Sequence, residues 1–337
     1  MEAIINMIKE TNKDDFLEIK ISILESFIYN LFLSLIPLNK IHLFSVIWQK
    51  LWNKSCQIFN GTVKTKIHGF DVVLNYGYTY PEYARKFPSY NNPLVELVYQ
   101  TYQIKERKIV FIDIGAAIGD TILLIYKNCP DMIEKFYCID GDNQFFEYLK
   151  YNLADFAESH LIKCVLSNGE NWERELTRTH QGSASAQGQV KVPALSLDAV
   201  MEDKFFEKID LLKIDIDGFD GKALSGSVSL IKKYQPTIIF EWHPILCNRT
   251  GNSWLEHFQI LSELEYTKYI FFTKYGEFSH FITKYCCEEL SMYAELCIRN
   301  KFEYDWHYDV IGLHKDSQIN CLDLAELSFA KGCRSRF

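Results

Sequence analysis

Residues 107–121 constrain the fold more than any other stretch of this chain. Ile109 to Ile114 is an unbroken apolar, β-branched run, the pattern of a strand buried on both faces. A small-residue turn follows, Gly115-Ala116-Ala117-Ile118-Gly119, and Asp120-Thr121 opens an apolar helical pattern. Strand, tight turn and helix start make the first βα unit of a nucleotide-binding, mostly parallel sheet. Ligands of such sheets lie outside the carboxyl ends of the strands, so the turn should report on the ligand.

A dinucleotide is disfavoured. A pyrophosphate site wants glycine at the first, third and sixth turn positions, which are Gly115, Ala117 and Asp120 here. A carboxylate at a helix start suits the dipole but repels phosphate. Asp113 is a second acid, set near the end of the apolar strand, where an unpaired carboxylate is costly. Two acids around a glycine turn fit a ligand with cationic groups and no phosphate. S-adenosylmethionine, with its ammonium and sulfonium, is such a ligand. The plainer role for both acids is capping of the turn and the helix.

The strand–helix alternation continues. Lys135 to Asp140 reads as a second strand and Asn143 to Asn152 as its helix, with Asp140 placed for ribose hydroxyls or for an N-cap. Leu161 to Leu166 is a third strand, ending at Ser167-Asn168. Thr177 to Gln189 is a polar loop in which His180, Ser183 and Ser185 could face a ligand. Val190 to Ser196 is a short strand, and Leu197-Asp198 starts a helix. Ile209 to Asp220 is a strand ending in Asp215 and Asp217, then Gly218 and a helix. Tyr234 to Pro244 repeats the logic with Glu241 and His243. Aromatic strands at Tyr269–Thr273 and Asp309–Leu313 would close the sheet as a terminal hairpin. Acids at the strand ends should therefore converge, and Lys213, inside an apolar strand, needs one of them as partner.

The flanks divide as 1–60, a helical extension; 61–100, a hairpin with an aromatic lead-in; 101–315, the cofactor domain; and 316–337, a tail. The extension reads as two helices parted near Pro37. Glu25, Asn30, Asn39, Lys40 and His42 break its apolar run, so no spanning helix is expected, while a membrane-surface or partner face is compatible. Thr62–His68, Gly69 and Phe70–Leu74 give a hairpin signal. In Tyr76–Arg85, the residues Tyr78, Tyr80 and Arg85 are candidate substrate contacts, with a packed aromatic loop as the alternative. Net charge is −8 with no block of like charges, which argues against a nucleic-acid partner. The ten cysteines form no CxxC pair, as expected of reduced thiols in a cytoplasmic protein. Glu2 follows Met1 with no basic run, so no secretory leader is expected.

With these pieces in order, the chain resembles the FkbM family of S-adenosylmethionine-dependent methyltransferases. The matching motifs are Phe111-Ile-Asp-Ile-Gly-Ala-Ala-Ile-Gly-Asp-Thr121, Ile139-Asp-Gly-Asp-Asn-Gln-Phe-Phe-Glu-Tyr-Leu149 with Asn152, and Leu197-Asp198. Ile209-Asp-Leu-Leu-Lys-Ile-Asp-Ile-Asp-Gly-Phe-Asp220 is the specific one, followed by Leu224, Gly226, Pro236 and Glu241. The resemblance covers about residues 70 to 315. The family commonly has Asn at the position of Ala117, Glu-Pro at Asp140-Gly141, and Glu at Asp217 and Asp220.

The resemblance implies a Rossmann-like class I methyltransferase fold: a mostly parallel seven-stranded sheet flanked by helices, here with the helical extension and hairpin in front. It also implies S-adenosylmethionine-dependent O-methylation of a sugar, glycan or secondary-metabolite hydroxyl. The cofactor would lie against Asp113, Gly115, Ala116, Ala117, Gly119, Asp120, Thr121, Asp140, Gly141, Ser167 and Asp215. Methyl transfer to oxygen needs a base near the acceptor. His243 is the first candidate, then His180 and His307, with Asp215 as the alternative; Glu241 and His307 are also candidate substrate contacts. A metal is not expected, although Asp215, Asp217, Asp220 or Glu241 could hold a divalent ion. The rival readings are a catalytically silent methyltransferase-fold scaffold and a nicotinamide-dependent dehydrogenase.

Overall fold

The computed structural model describes residues 19–40, 42–169, 173–175, 177–180, 183–185, 191–202, 208–299 and 306–329. Two helices come first among the described residues, α1 (Ile23–Leu35) and α2 (His42–Ile58), with a 3-10 turn Ile36–Lys40 that contains Pro37 between them. Ser22 caps α1 by accepting the Glu25 N–H. Their inner faces meet through Tyr29, Trp48 and Trp52, with the two tryptophan rings stacked at 5.5 Å. The hairpin follows as β1 (Thr62–Ile67) and β2 (Phe70–Asn75). His68 and Gly69 form its turn with φ of 52° and 94°, the left-handed pair that matches strand twist. Two helices then lead into the central sheet, α3 (Tyr80–Lys86) and α4 (Asn92–Lys105).

The central unit alternates β3 (Ile109–Ile114), α5 (Asp120–Asn128), β4 (Ile133–Asp140), α6 (Asn143–Asn152) and β5 (Ser159–Lys163). Short strands β6 (Val165–Leu166), β7 (Glu173–Glu175), β8 (Thr177–His180), β9 (Ser183–Ser185) and β10 (Lys191–Leu195) intervene before α7 (Leu197–Met201). Next come β11 (Leu211–Ile214), α8 (Asp220–Ser225), α9 (Val228–Tyr234), β12 (Thr237–Trp242), α10 (Pro244–Thr250) and α11 (Glu256–Glu263). The chain closes with β13 (Tyr266–Thr273), β14 (Phe278–Ile282), α12 (Cys287–Arg299), β15 (Tyr308–His314) and α13 (Cys321–Phe329).

The main sheet has the order β14-β13-β15-β12-β11-β3-β4-β5. β5, β4, β3, β11 and β12 are parallel, and β15 runs against both β12 and β13. This is the class I methyltransferase arrangement. Among the described residues it has eight strands instead of seven, because the tight turn after Thr273 returns β14 along β13. The closing pair β13 and β15 is therefore not a simple hairpin: β14 and α12 lie between them. The third strand also divides. Ser159–Lys163 joins the main sheet, while Val165–Leu166 leaves it to pair with β10.

Alternate residues of each strand feed two cores. Phe111, Phe136, Ile239 and Ile311 pack with α4, α5, α6 and the N-terminal helices. Ile112, Ile139, Ile238 and Val310 pack with α7, α8, α9, α11 and α12. Every residue of β3 is buried, which accounts for its unbroken apolar run.

Candidate active site

The carboxyl ends of β3, β4, β11 and β12 open onto one cleft of about 890 Å³. The strand order reverses between β3 and β11, the switch point where such sheets bind ligands. Gly115 begins the turn with φ +82°, and a Cβ there would lie 1.9 Å from the Asp215 carbonyl oxygen. Only glycine lets β3 and β11 approach so closely at this point. The Gly115 and Ala116 N–H groups donate to the Ile139 carbonyl at 2.9 and 3.1 Å. Ala117 holds an unusual φ of 45° for a residue with a side chain. Its N–H donates to Asp140 Oδ2 at 2.8 Å, and the Asp142 N–H donates to Oδ1 at 2.8 Å. Asp140 thus clamps the turn to the end of β4. Burial pushes its pKa up to about 7, against those two hydrogen bonds.

Under the turn lies a charge network. Lys213 Nζ is 3.2 Å from both Asp113 Oδ1 and Asp215 Oδ2. The pairing follows from register, since Lys213 and Asp113 are directly opposite on β11 and β3. Burial raises the Asp113 pKa and Lys213 pulls it back. Burial opposes the charge on Lys213, but Asp113, Asp215 and Asp120 together hold its pKa above the ordinary value. The Tyr78 hydroxyl donates to Asp120 Oδ2 at 2.6 Å, and burial pushes Asp120 up to about 6. Asp113 and Asp120 are buried, whereas the Asp215 side chain is 49% exposed and lines the cleft.

The other end of the cleft is built from β12 and β15. Glu241 and Asp309 are paired across these strands. Glu241 Oε1 is 3.3 Å from His307 Nε2, and Oε2 is buried without a hydrogen-bond partner. The His307 ring stacks on His243 at 4.7 Å. His243 caps α10: its Nδ1 accepts the Leu246 N–H at 3.3 Å. Burial raises the Glu241 pKa well above the carboxylate range, helped by Asp215, Asp217, Asp220 and Asp309. Burial and Asp215 push Asp309 up to about 7, against the pull of Lys213. Tyr78, Tyr80, Tyr83, Tyr90 and Lys274 also line the cleft.

Of the residues singled out from sequence, Gly115, Ala117, Asp120, Thr121, Asp140, Gly141, Ser167 and Asp215 line the cleft, as do Tyr78, Tyr80, Glu241, His243 and His307. Asp113, Ala116 and Gly119 do not: Asp113 stands behind the wall on Lys213, and the other two shape the turn. Arg85 lies elsewhere as well. Its guanidinium donates to the Pro81 and Lys66 carbonyls and does not line the cleft. His180 ends β8, but its side chain lies outside the described residues, as do those of Ser183 and Ser185. Among the described residues no three His, Cys, Asp or Glu side chains are arranged to hold a metal, so Asp215, Asp217, Asp220 and Glu241 form no such set. Asp309, Tyr90, Phe145 and Lys274 line the cleft without having been singled out from sequence. For Asp309 a signal existed: it lies two residues after His307, the spacing that returns a strand to the same face.

Residues 113–268 match the family model for the methyltransferase FkbM domain. No curated protein matches the sequence. Among solved structures, methyltransferase FkbM from Methylobacillus flagellatus KT is 14% identical with a TM-score of 0.32, over 61% of this chain and 43% of that one. The chain therefore spans less than half the length of that protein. M. jannaschii TYW2 in complex with AdoMet is 13% identical with a TM-score of 0.35, over 74% and 84% of the two chains. A putative O-methyltransferase from Klebsiella pneumoniae is 9% identical with a TM-score of 0.37, over 66% and 80%. The fold assignment rests on the strand order of this chain.

Proposed function

We propose that this chain, with its methyltransferase FkbM domain, is an S-adenosylmethionine-dependent O-methyltransferase acting on a hydroxyl of a sugar, glycan or secondary metabolite. The observation that carries the reading is the half-exposed Asp215 carboxylate beside the Gly115 turn, in a cleft lined by acids at its strand ends. That donor set suits a cationic ligand and opposes a pyrophosphate. Asp215 would meet the donor's ammonium. The apolar end of the cleft, Ile139, Phe145, Cys164, Val165 and Leu166, would take the adenine ring. Bound S-adenosylmethionine would supply an electrophilic methyl group.

The chain's own part is to hold the acceptor in line and to accept its proton. Tyrosines and acids lining one cleft suit a polyhydroxylated acceptor, because rings cover C–H faces while acids bond hydroxyls. We assign the base role to His307, whose ring Glu241 Oε1 orients from 3.3 Å. His243 has spent its Nδ1 lone pair on the helix cap, and its ring stacks on that of His307.

Calorimetric titration tests the reading. S-adenosylmethionine should bind and NAD should not. No binding of S-adenosylmethionine at millimolar concentration would overturn the enzyme reading, and NAD binding alone would favour a dehydrogenase.

A further inference from the structure

The outer face of the N-terminal helices exposes a broad apolar surface. On α1, Ile23, Leu24, Phe27 and Leu31 are 85%, 65%, 68% and 48% exposed. On α2, Leu43, Ile47, Leu51 and Ile58 are 70%, 48%, 53% and 63% exposed. Helical spacing puts these α2 residues on one stripe, and Lys50 and Lys54 fall within it, one turn apart. The inner side of the same helix is spoken for. Trp52 is buried in the core, and Trp52, Asn53, Cys56 and Gln57 form part of the cleft wall.

Charge identifies the occupant. Residues 19–60 carry Lys20, Lys40, Lys50 and Lys54 against one acid, in a protein whose net charge is −8. That acid, Glu25, is turned onto the Gly61 N–H at 2.7 Å. All four lysines are exposed. Lysine inside an apolar stripe is disfavoured in a protein–protein interface. It is favoured where the stem lies along lipid tails and the ammonium reaches headgroups. No described helix is long and apolar enough to cross a membrane.

We propose that α1 and α2 dock the protein on an anionic lipid bilayer. Apolar side chains would enter the headgroup boundary and the lysines would pair with lipid phosphates. Because α2 also bounds the cleft, docking sets the Asn53–Gln57 rim beside the headgroups.

Vesicle flotation with the full chain tests this, and needs neither donor nor acceptor. The protein should float with vesicles of phosphatidylglycerol and phosphatidylcholine at low salt. It should not float with phosphatidylcholine alone, and added NaCl should weaken the binding. The Lys50→Glu/Lys54→Glu variant should partition at least ~10-fold less, since each basic group near an anionic surface adds to binding. Leu43→Ser/Ile47→Ser/Leu51→Ser should lose flotation while circular dichroism stays unchanged. Wild-type protein that stays in solution with anionic vesicles at low salt overturns the proposal. So does a dimer by light scattering that these substitutions dissociate without any flotation, which would assign the face to a second copy.

Discussion

Glu241 and Asp309 face each other across β12 and β15, two carboxylates in direct register at one end of the cleft. Like charges directly opposite in a sheet repel, and burial removes the water that would screen them. Burial first, and then the nearby Asp215, push both toward holding a proton, with Asp309 at about 7 and Glu241 displaced well upward.

That displacement fixes the sign of a pH effect. An unfolded Asp titrates near ~3.9, so the folded state binds the Asp309 proton more tightly. Its contribution to stability is full below the unfolded value and is lost as pH rises through about 7. Asp120, at about 6, and Asp140, at about 7, act in the same direction. Thermal unfolding of the unliganded protein should give a Tm that falls between pH 5 and 8. Asp309→Asn should fall less steeply. A rising Tm over that range, or an unchanged slope in the variant, would refute the assignment.

The Glu241–His307 pair should matter to turnover and not to donor binding. Glu241→Gln and His307→Ala should each lower kcat by about 10²–10⁴-fold, the usual worth of a general base. Affinity for S-adenosylmethionine, read by calorimetry, should stay within about threefold. His243→Ala should mainly remove a helix cap, costing about 1 kcal/mol and a few degrees of Tm. If His243→Ala abolishes turnover while His307→Ala is silent, the two roles are exchanged.

Lys213 neutralises a fully buried Asp113. Lys213→Met should destabilise by about 3–5 kcal/mol, because one buried charge is left without its partner. Adding Asp113→Asn should recover part of that loss. Urea denaturation of the two single variants and the double variant measures the coupling, and strict additivity would mean the pair does not interact.

Gly115→Ala joins two penalties. The left-handed φ costs about 1–3 kcal/mol for a residue with a side chain, and the added Cβ meets the Asp215 carbonyl. The variant should lose S-adenosylmethionine binding and unfold several degrees lower. Wild-type Tm and affinity in this variant would show that the turn can relax away from β11.

Much of the fold is written in local pattern. The buried run Ile109–Ile114, the hairpin turn at Gly69 and the acids at the ends of β4, β11 and β12 are legible because strand burial, left-handed turns and strand-end ligand sites leave marks on neighbouring residues. Lys213 was also legible as needing a partner, since a cation inside an apolar strand demands one.

What sequence could not decide are relations between distant segments. Whether Lys213 meets Asp113 or another acid depends on the register of β11 against β3. Whether Asp309 joins Glu241 depends on an antiparallel strand reached only after β14 and α12. Arg85 reads as a substrate contact until the fold turns its guanidinium onto the Lys66 and Pro81 carbonyls. The apolar residues of α1 and α2 read as two helices with a membrane-surface or partner face compatible, and only the tertiary structure selects the faces, burying Tyr29, Trp48 and Trp52 and leaving the opposite side exposed. Periodicity sets which residues share a face, but only the packing of one element on another decides which face is covered.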